Sequence, residues 1–214
     1  MLKIRQYVFW LVLCCIITGR VSSADDSAGS PPSESLPKSE NEKSETSKQS
    51  EYDPGTSSLE LQGRLALVTG GASGIGRSVA MVLARENVTV IVADINQTGG
   101  EETIVYLKML SSHLHHKAMY VDVRNSTSVG FLIKCIELEY SNMTISIVVN
   151  SAGILHEITP VVNLTDETFD DVISTNLKGT FLVTKEAVKH MLARNVTGAA
   201  IVNIASILGK GGFP

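Results

Sequence analysis

The stretch LVTGGASGIG (67–76) joins an apolar run to a helical pattern through a glycine-rich turn. Glycine lets the backbone bend sharply and lets a phosphate approach where a side chain would block it. The helix that follows offers unpaired N–H groups and the positive end of its dipole. We predict a pyrophosphate-binding turn, because these glycines follow a strand and open a helix; a glycine turn without a ligand is the alternative. The predicted cofactor-binding residues here are Gly70, Ser73, Gly74, Ile75 and Gly76.

Asp94 ends the next β-branched run, VTVIVAD, 18 residues after Gly76. A carboxylate at this position can accept hydrogen bonds from the ribose hydroxyls of a dinucleotide and would repel a 2′-phosphate. Its neighbour is Ile95 rather than a basic residue. The pattern therefore predicts NAD as the cofactor and disfavours NADP, with a simple loop cap as the alternative role for Asp94.

Short apolar runs alternate with helical patterns from Leu59 onward. We count five strands and four or five helices, including one long helix from about Thr165 to Arg194. Strands that alternate with helices of ten or more residues are typical of parallel βαβ units with helices on both sheet faces. The sequence thus predicts an α/β fold with a Rossmann-type doubly wound parallel sheet, one domain over residues 59–214.

Five motifs occur in an order and spacing that resemble the short-chain dehydrogenase/reductase family: TGGASGIG, YVDV, VVNSAG, STNLKGTF and IVNIASILG. The resemblance covers the chain from about Leu61 onward and is strongest to the β-ketoacyl reductase-like branch, which includes 17β-hydroxysteroid dehydrogenase type 8 and 3-hydroxyacyl reductases. It implies an NAD(P)-dependent oxidoreductase that interconverts a secondary alcohol and a ketone, of 3-oxoacyl or hydroxysteroid type. It also implies a homo-oligomer for the complete protein.

The resemblance assigns roles to four single residues. Asp122 in YVDV matches the aspartate that contacts the adenine ring, and Val123 beside it would line the adenine pocket. Asn176 matches the asparagine that disrupts its helix locally and holds a water in the proton relay. Ser206 matches the catalytic serine, which hydrogen-bonds the substrate oxygen. Without the resemblance, Asn176 is an ordinary polar helix residue and Ser206 a serine at a strand end.

The NSAG stretch matches the family's Asn-Asn-Ala-Gly motif at the end of the fourth strand. The match implies that Asn150, Ala152 and Gly153 belong to the cofactor site. Ser151 replaces the family's second asparagine, a departure that could loosen the turn while keeping a small polar group there.

The family's chemistry also needs a Tyr-x-x-x-Lys pair about a dozen residues past Ser206. The tyrosine exchanges the proton, and since a free phenol has a pKa of about 10, the neighbouring lysine must lower it. The printed sequence ends at Pro214, before that pair. We therefore expect a chain truncated after the fifth strand, with negligible turnover as written. A secreted, non-catalytic dinucleotide-binding or interaction protein is the alternative.

The first 24 residues predict a cleaved secretory signal: a basic start, an apolar run of 11 residues, and small residues at the cleavage site. An uncleaved anchor is the main alternative, but the run is short for a stable membrane span. Residues 25–58 are rich in Ser, Glu, Lys and Pro, which predicts a disordered acidic linker. We expect the protein to be secreted or to reside in the lumen of the endoplasmic reticulum.

Six N-x-S/T sequons support this localisation, because the composition predicts only about two by chance. They begin at Asn87, Asn96, Asn125, Asn142, Asn163 and Asn195. The net charge of −4 and the lack of a Lys/Arg cluster argue against a nucleic-acid partner. The histidines of HLHH (113–116) have no companion ligands, so we expect no metal site.

Overall fold

The computed structural model describes residues 5–6, 61–157 and 159–206. Within these ranges one sheet has the strand order β1-β6-β5-β2-β3-β4, and every neighbouring pair is parallel. The five predicted strands are confirmed, and a two-residue strand pairs with the last of them. The strands are β1 (Arg5–Gln6), β2 (Leu65–Thr69), β3 (Thr89–Asp94), β4 (Lys117–Tyr120), β5 (Ile145–Asn150) and β6 (Ala200–Asn203). The predicted signal and linker otherwise lie outside the described residues.

Helices connect these strands. The long predicted helix is present as one helical run from Asp166 to Ala193, but its centre is a π-helix, Ile173–Gly179. The α-helices are α1 (Gly74–Arg85), α2 (Gln97–Leu110), α3 (Ser126–Glu139), α4 (Asp166–Val172) and α5 (Thr180–Ala193), and Val161–Asn163 forms a 3₁₀ turn. Among the helices that the structure describes, none has both the length and the hydropathy of a membrane span.

Two hydrophobic cores cover the two faces of the sheet, which confirms the doubly wound prediction. Successive strand side chains point to opposite faces, so Leu65 and Leu67 enter one core while Ala66 and Val68 enter the other. Residues of α3 and α5 complete the first core, and residues of α1 and α2 the second. Parallel strands buried on both faces are continuous apolar runs, as the sequence shows.

The strand order reverses between β2 and β5. From β2 the chain proceeds to β3 and β4 on one side, and then returns to place β5 and β6 on the other. The connections that leave the carboxyl ends of β2 and β5 therefore diverge and open a crevice between them. Open α/β sheets bind ligands at this switch point.

Candidate cofactor-binding cleft

A cleft of about 420 Å³ occupies this switch point at the carboxyl edge of the sheet. Residues from the ends of β2, β3 and β5 and from the segment after β4 contribute to its wall. The predicted residues that line it are Gly70, Ser73, Gly74, Ile75, Asp94, Asp122, Val123, Ala152 and Gly153. The structure thus brings together most of the cofactor residues that the sequence predicted.

The glycine turn has no room for side chains where it packs. A Cβ on Gly70, whose φ is 67°, would lie 2.6 Å from the backbone nitrogen of Ala152. A Cβ on Gly76 would lie 2.2 Å from the carbonyl oxygen of Gly70, so Gly76 supports the turn from behind and does not line the cleft. Gly74 has a φ of 52° and open space beyond it. This left-handed conformation favours glycine.

The first turn of α1 lacks the side-chain cap that the other helices at this edge have. Asn96, Asn125 and Thr165 accept hydrogen bonds from first-turn amides of α2, α3 and α4. Ser73, at the same position of α1, makes no such bond and lines the cleft. Uncapped amides at a helix N-terminus are the groups that bind a phosphate, so the turn fits a dinucleotide.

Asp94 is bound to the glycine turn. Its Oδ2 accepts a hydrogen bond from the backbone N–H of Ala72 at 3.0 Å, and its Oδ1 accepts one from Asn96 N–H at 2.9 Å. Each carboxylate oxygen has two lone pairs, so further acceptor capacity remains for a ligand hydroxyl. The half-buried carboxylate thereby joins the end of β3 to the turn after β2.

Asp122 is paired with a residue that the sequence analysis did not single out. Arg124 donates from Nε to Oδ1 and from Nη2 to Oδ2 of Asp122, each at 3.0 Å. This two-point bond lowers the pKa of Asp122 and raises that of Arg124. Arg124 also donates to Asp171 of α4 at 3.3 Å and lines the cleft. Asp122 therefore contributes an ionised carboxylate held in a fixed orientation at this wall.

Asn176 lies within the π-helix and fixes the backbone that follows the NSAG stretch. Its Oδ1 accepts from the N–H of Ile154 and its Nδ2 donates to the carbonyl of the same residue, both at 2.9 Å. The π-helix agrees with the expected local disruption at Asn176. Its carboxamide thus positions Ile154, which lines the cleft.

Four predicted residues lie outside the cleft lining: Gly76 and Asn176, described above, and Asn150 and Ser206. Asn150 is buried, with 4% of its surface exposed, and its Nδ2 donates to Thr184 at 3.0 Å and to Asn203 at 2.8 Å. It joins β5, β6 and α5 rather than lining the cleft. Ser206 is half-buried three residues beyond the end of β6.

Several residues that line the cleft were not assigned to the site from the sequence. They are apolar or small residues next to predicted ones, together with the Arg124 guanidinium. The additional lining residues are Ala93, Ile95, Val121, Arg124, Ser151, Ile154, Thr175 and Ile204. For most of them the only signal in the sequence was their position next to a strand end. For Arg124 the signal was its position two residues after Asp122, the aspartate predicted to contact the adenine ring.

Two histidines of the HLHH stretch, His115 and His116, make structural contacts. His116 is buried; its Nδ1 accepts from Val90 N–H at 3.1 Å, and its Nε2 lies 2.8 Å from Ser111 Oγ. His115 lies 2.8 Å from Glu139 on the surface. In the part of the chain that the structure describes, no group of three metal-ligating side chains is found.

The motifs and this geometry agree with a comparison against known families: the short chain dehydrogenase model matches residues 64–214. The chain belongs to the short-chain dehydrogenase family. A Homo sapiens (3R)-3-hydroxyacyl-CoA dehydrogenase is 36% identical over 157 residues, which cover 71% of this chain and 59% of that protein. A 3beta-hydroxysteroid dehydrogenase of Mediterraneibacter gnavus is 34% identical over 151 residues, 71% of this chain and 52% of that protein.

Solved structures of a dehydrogenase and a ketoreductase have the same fold. NAD⁺-bound xylitol dehydrogenase matches with a TM-score of 0.67 and 26% identity over 72% of this chain and 57% of that one. An actinorhodin polyketide ketoreductase with NADPH matches with a TM-score of 0.63 and 34% identity, over 70% of this chain and 56% of that one. This chain thus spans between half and two thirds of the length of these relatives.

Proposed function

We propose that this short-chain dehydrogenase chain forms the cofactor-binding part of an NAD-dependent oxidoreductase that interconverts a secondary alcohol and a ketone. The observation that carries the proposal is the uncapped N-terminus of α1 at the switch-point cleft. Three other helices at that edge have side-chain caps, whereas the amides after Ser73 are left for a ligand. A diphosphate group supplies the acceptors that these amides need.

NAD rather than NADP is the proposed cofactor, and Asp94 supports this choice. Its carboxylate has acceptor capacity for the ribose hydroxyls, and its charge would oppose a 2′-phosphate. Ile95 beside it offers no positive charge to a phosphate. The solved relatives include one bound to NAD⁺ and one with NADPH, so the preference rests on these residues of this chain.

The proposed chemistry is hydride transfer, for which bound NAD supplies the hydride acceptor. The residues of this chain would bind and orient the reactants: the turn holds the diphosphate, and Asp94 and Asp122 contact the adenosine. Ser206 would hydrogen-bond the substrate oxygen, in the role that its match to the family implies. Asn176 would keep the Ile154 backbone in place through its two hydrogen bonds.

A 3-oxoacyl or hydroxysteroid compound is the proposed substrate class. Two relatives support it by name, a (3R)-3-hydroxyacyl-CoA dehydrogenase and a 3beta-hydroxysteroid dehydrogenase. Both substrates present a secondary alcohol. The proposed setting is the secretory pathway, supported by the leader pattern of residues 1–24, and the proposed complete protein is a homo-oligomer.

Turnover distinguishes this enzyme from the second candidate, a secreted protein that binds a dinucleotide without catalysis. The full-length protein would be incubated with NAD and a panel of 3-hydroxyacyl thioesters and hydroxysteroids, and NADH formation followed by absorbance. We expect reduction of NAD with at least one class, and its loss in Ser206→Ala with NAD affinity unchanged. NAD binding with no turnover on either class would favour the binding protein.

A further inference from the structure

The six sequons divide equally between the two edges of the sheet. Those that begin at Asn96, Asn125 and Asn163 lie in the segments after β3, β4 and β5, at the edge that carries the cleft. Those that begin at Asn87, Asn142 and Asn195 lie in the connections that enter β3, β5 and β6, at the opposite edge. A glycan is bulky, so its position relative to the cleft matters for function.

Two asparagines at the cleft edge are explained by helix capping. Asn96 Oδ1 accepts from Gly99 N–H at 3.0 Å, and Asn125 Oδ1 accepts from Thr127 N–H at 2.9 Å. Asparagine is among the preferred N-cap residues for this reason. The third sequon at this edge ends at Thr165, whose Oγ1 caps α4 through Thr168 N–H at 3.2 Å.

Two asparagines at the opposite edge are explained by backbone conformation. Asn87 has a φ of 57° and Asn195 a φ of 50°, and each terminates a helix in the left-handed conformation that asparagine tolerates. In both, the next residue's N–H bonds the carbonyl five residues back: Val88 to Leu83 at 3.0 Å, and Val196 to Met191 at 2.9 Å. The asparagine at both places therefore follows from the same helix-ending motif.

The sequon at Asn142 has no such role. It lies in the connection between α3 and β5, its side chain is exposed, and among the described residues that side chain makes no hydrogen bond. In each of the other five sequons one residue, the asparagine or the threonine, has a helix-terminal role, so their number alone is weak support for glycosylation. Neither Asn142 nor Thr144 has such a role.

We propose that Asn142 is an N-glycosylation site that holds its glycan at the edge of the sheet opposite the cofactor cleft. The co-reactant is an oligosaccharide linked through C1 to a polyprenyl diphosphate. The Asn142 Nδ2 forms a bond to C1 and loses one proton, while the C1–O bond breaks and the lipid diphosphate leaves with the electron pair. No oxidation or reduction occurs.

Under this proposal, Asn96 and Asn125 carry no glycan in the folded, secreted protein. Each side chain is bound to the start of a helix, and each residue adjoins the cleft: Asn96 follows Asp94 and Ile95, and Asn125 follows Arg124. A Cβ on Gly99 would lie 3.0 Å from the Asn96 Nδ2, so the amide nitrogen is close to the packed first turn of α2. A sugar on either residue would crowd the capped turn and the cleft mouth.

To test this, the full chain would be expressed in secreting cells. Glycan occupancy at each sequon would be mapped by glycosidase digestion and mass spectrometry. Asn142→Gln and Thr144→Ala should each lose one glycan, whereas Thr144→Ser keeps the sequon and should retain it. Asn96→Asp and Asn125→Asp, which preserve the caps, should leave the electrophoretic mobility unchanged. Because Asn142 is exposed, Asn142→Gln should not impair folding, and Thr144→Ser keeps the size and hydroxyl of the half-buried Thr144 nearly unchanged.

The inference rests on the proposed passage through the secretory pathway, so a second version carries an established signal in place of residues 1–24. If only this version is glycosylated at Asn142, the site is supported and the native leader is not. An unmodified Asn142 in a chain that is protected from protease inside microsomes would overturn the proposal. So would glycans on Asn96 or Asn125 of the folded, secreted protein.

Discussion

The backbone N–H of Ala72 donates a hydrogen bond to Asp94 Oδ2 at 3.0 Å, which joins the glycine turn after β2 to the carboxylate at the end of β3. The two sequence features that predicted a dinucleotide are therefore one structural unit. A ligand that places its diphosphate at the turn would bring the adjoining ribose to the carboxylate.

Replacing Asp94 should weaken and broaden cofactor binding. In Asp94→Asn the acceptor charge is lost, and hydrogen bonds to a charged group contribute about 1.5–3 kcal/mol, so NAD affinity should fall about ten- to a hundredfold. NADP affinity should fall less, because the repulsion of its 2′-phosphate is removed. Calorimetric titration with both dinucleotides measures the ratio of the NAD affinity to the NADP affinity.

Asp166→Asn is the control, because Asp166 is an exposed acid in the first turn of α4, and it should change neither affinity. An unchanged ratio in Asp94→Asn would show that Asp94 does not select the cofactor.

Gly76→Ala should destabilise the domain as well as the turn. The added Cβ would meet the Gly70 carbonyl oxygen at 2.2 Å, and overpacking of this kind costs about 1–3 kcal/mol. Gly130→Ala is the matched control, because Gly130 lies within α3 and has nothing within 4 Å of its added Cβ. That change should raise the free energy of unfolding by about 0.5–1 kcal/mol. Urea unfolding compares the two, and equal effects would contradict the close approach at Gly76.

Asn176→Ala should release the backbone after the NSAG stretch. Both hydrogen bonds to Ile154 are lost, so the Ile154 amide should exchange its hydrogen faster, while the amides of β5 keep their protection. Hydrogen exchange followed by mass spectrometry reports this directly. Asn142→Ala removes an exposed asparagine of the same size and should leave exchange at Ile154 as it is. Slow exchange at Ile154 in Asn176→Ala would mean that another contact holds this segment.

The stability of the domain should fall in mild acid, and His116 should account for part of the loss. Burial lowers the pKa of His116 below its ordinary value of 6.5. The unfolded chain therefore takes up the proton first as the pH falls, so the stabilisation is complete above about pH 6.5 and decreases below it. Protonation at Nδ1 would also break the bond from Val90.

Urea unfolding over a pH series measures this effect. His116→Gln should show a flatter dependence below about pH 6.5, since it has no proton to take up on unfolding. His113→Gln, an exposed neighbour, should keep most of the wild-type slope. The same slope in wild type and His116→Gln would assign the acid sensitivity to other groups.

The sheet and the cleft were predictable because local pattern and tertiary role coincide there. Strands buried on both faces are continuous apolar runs, and the glycines of the turn are required by contacts to Ala152 and Gly70 that leave no space for a side chain. The Arg124 pairing with Asp122 and Asp171 was missed, because the second aspartate is 47 residues away along the chain. Only the fold places it within reach.

The sequons are a pattern for which the fold offers a second explanation. Counted in the sequence, six sequons exceed the chance expectation and support the secretory pathway. In the fold, asparagine is already favoured at two helix N-caps and two left-handed helix ends, and threonine caps α4. A sequence window does not separate a capping asparagine from a glycan acceptor.

The most direct test of the central claim is a calorimetric titration of the full chain with NAD⁺, on protein first shown to be folded by the protection of its β-strand amides. We predict one binding site per chain, displacement of NAD⁺ by ADP-ribose, and weaker binding of NADP⁺. A folded chain that binds neither dinucleotide would contradict the assignment of the α1 turn and Asp94 as a cofactor site.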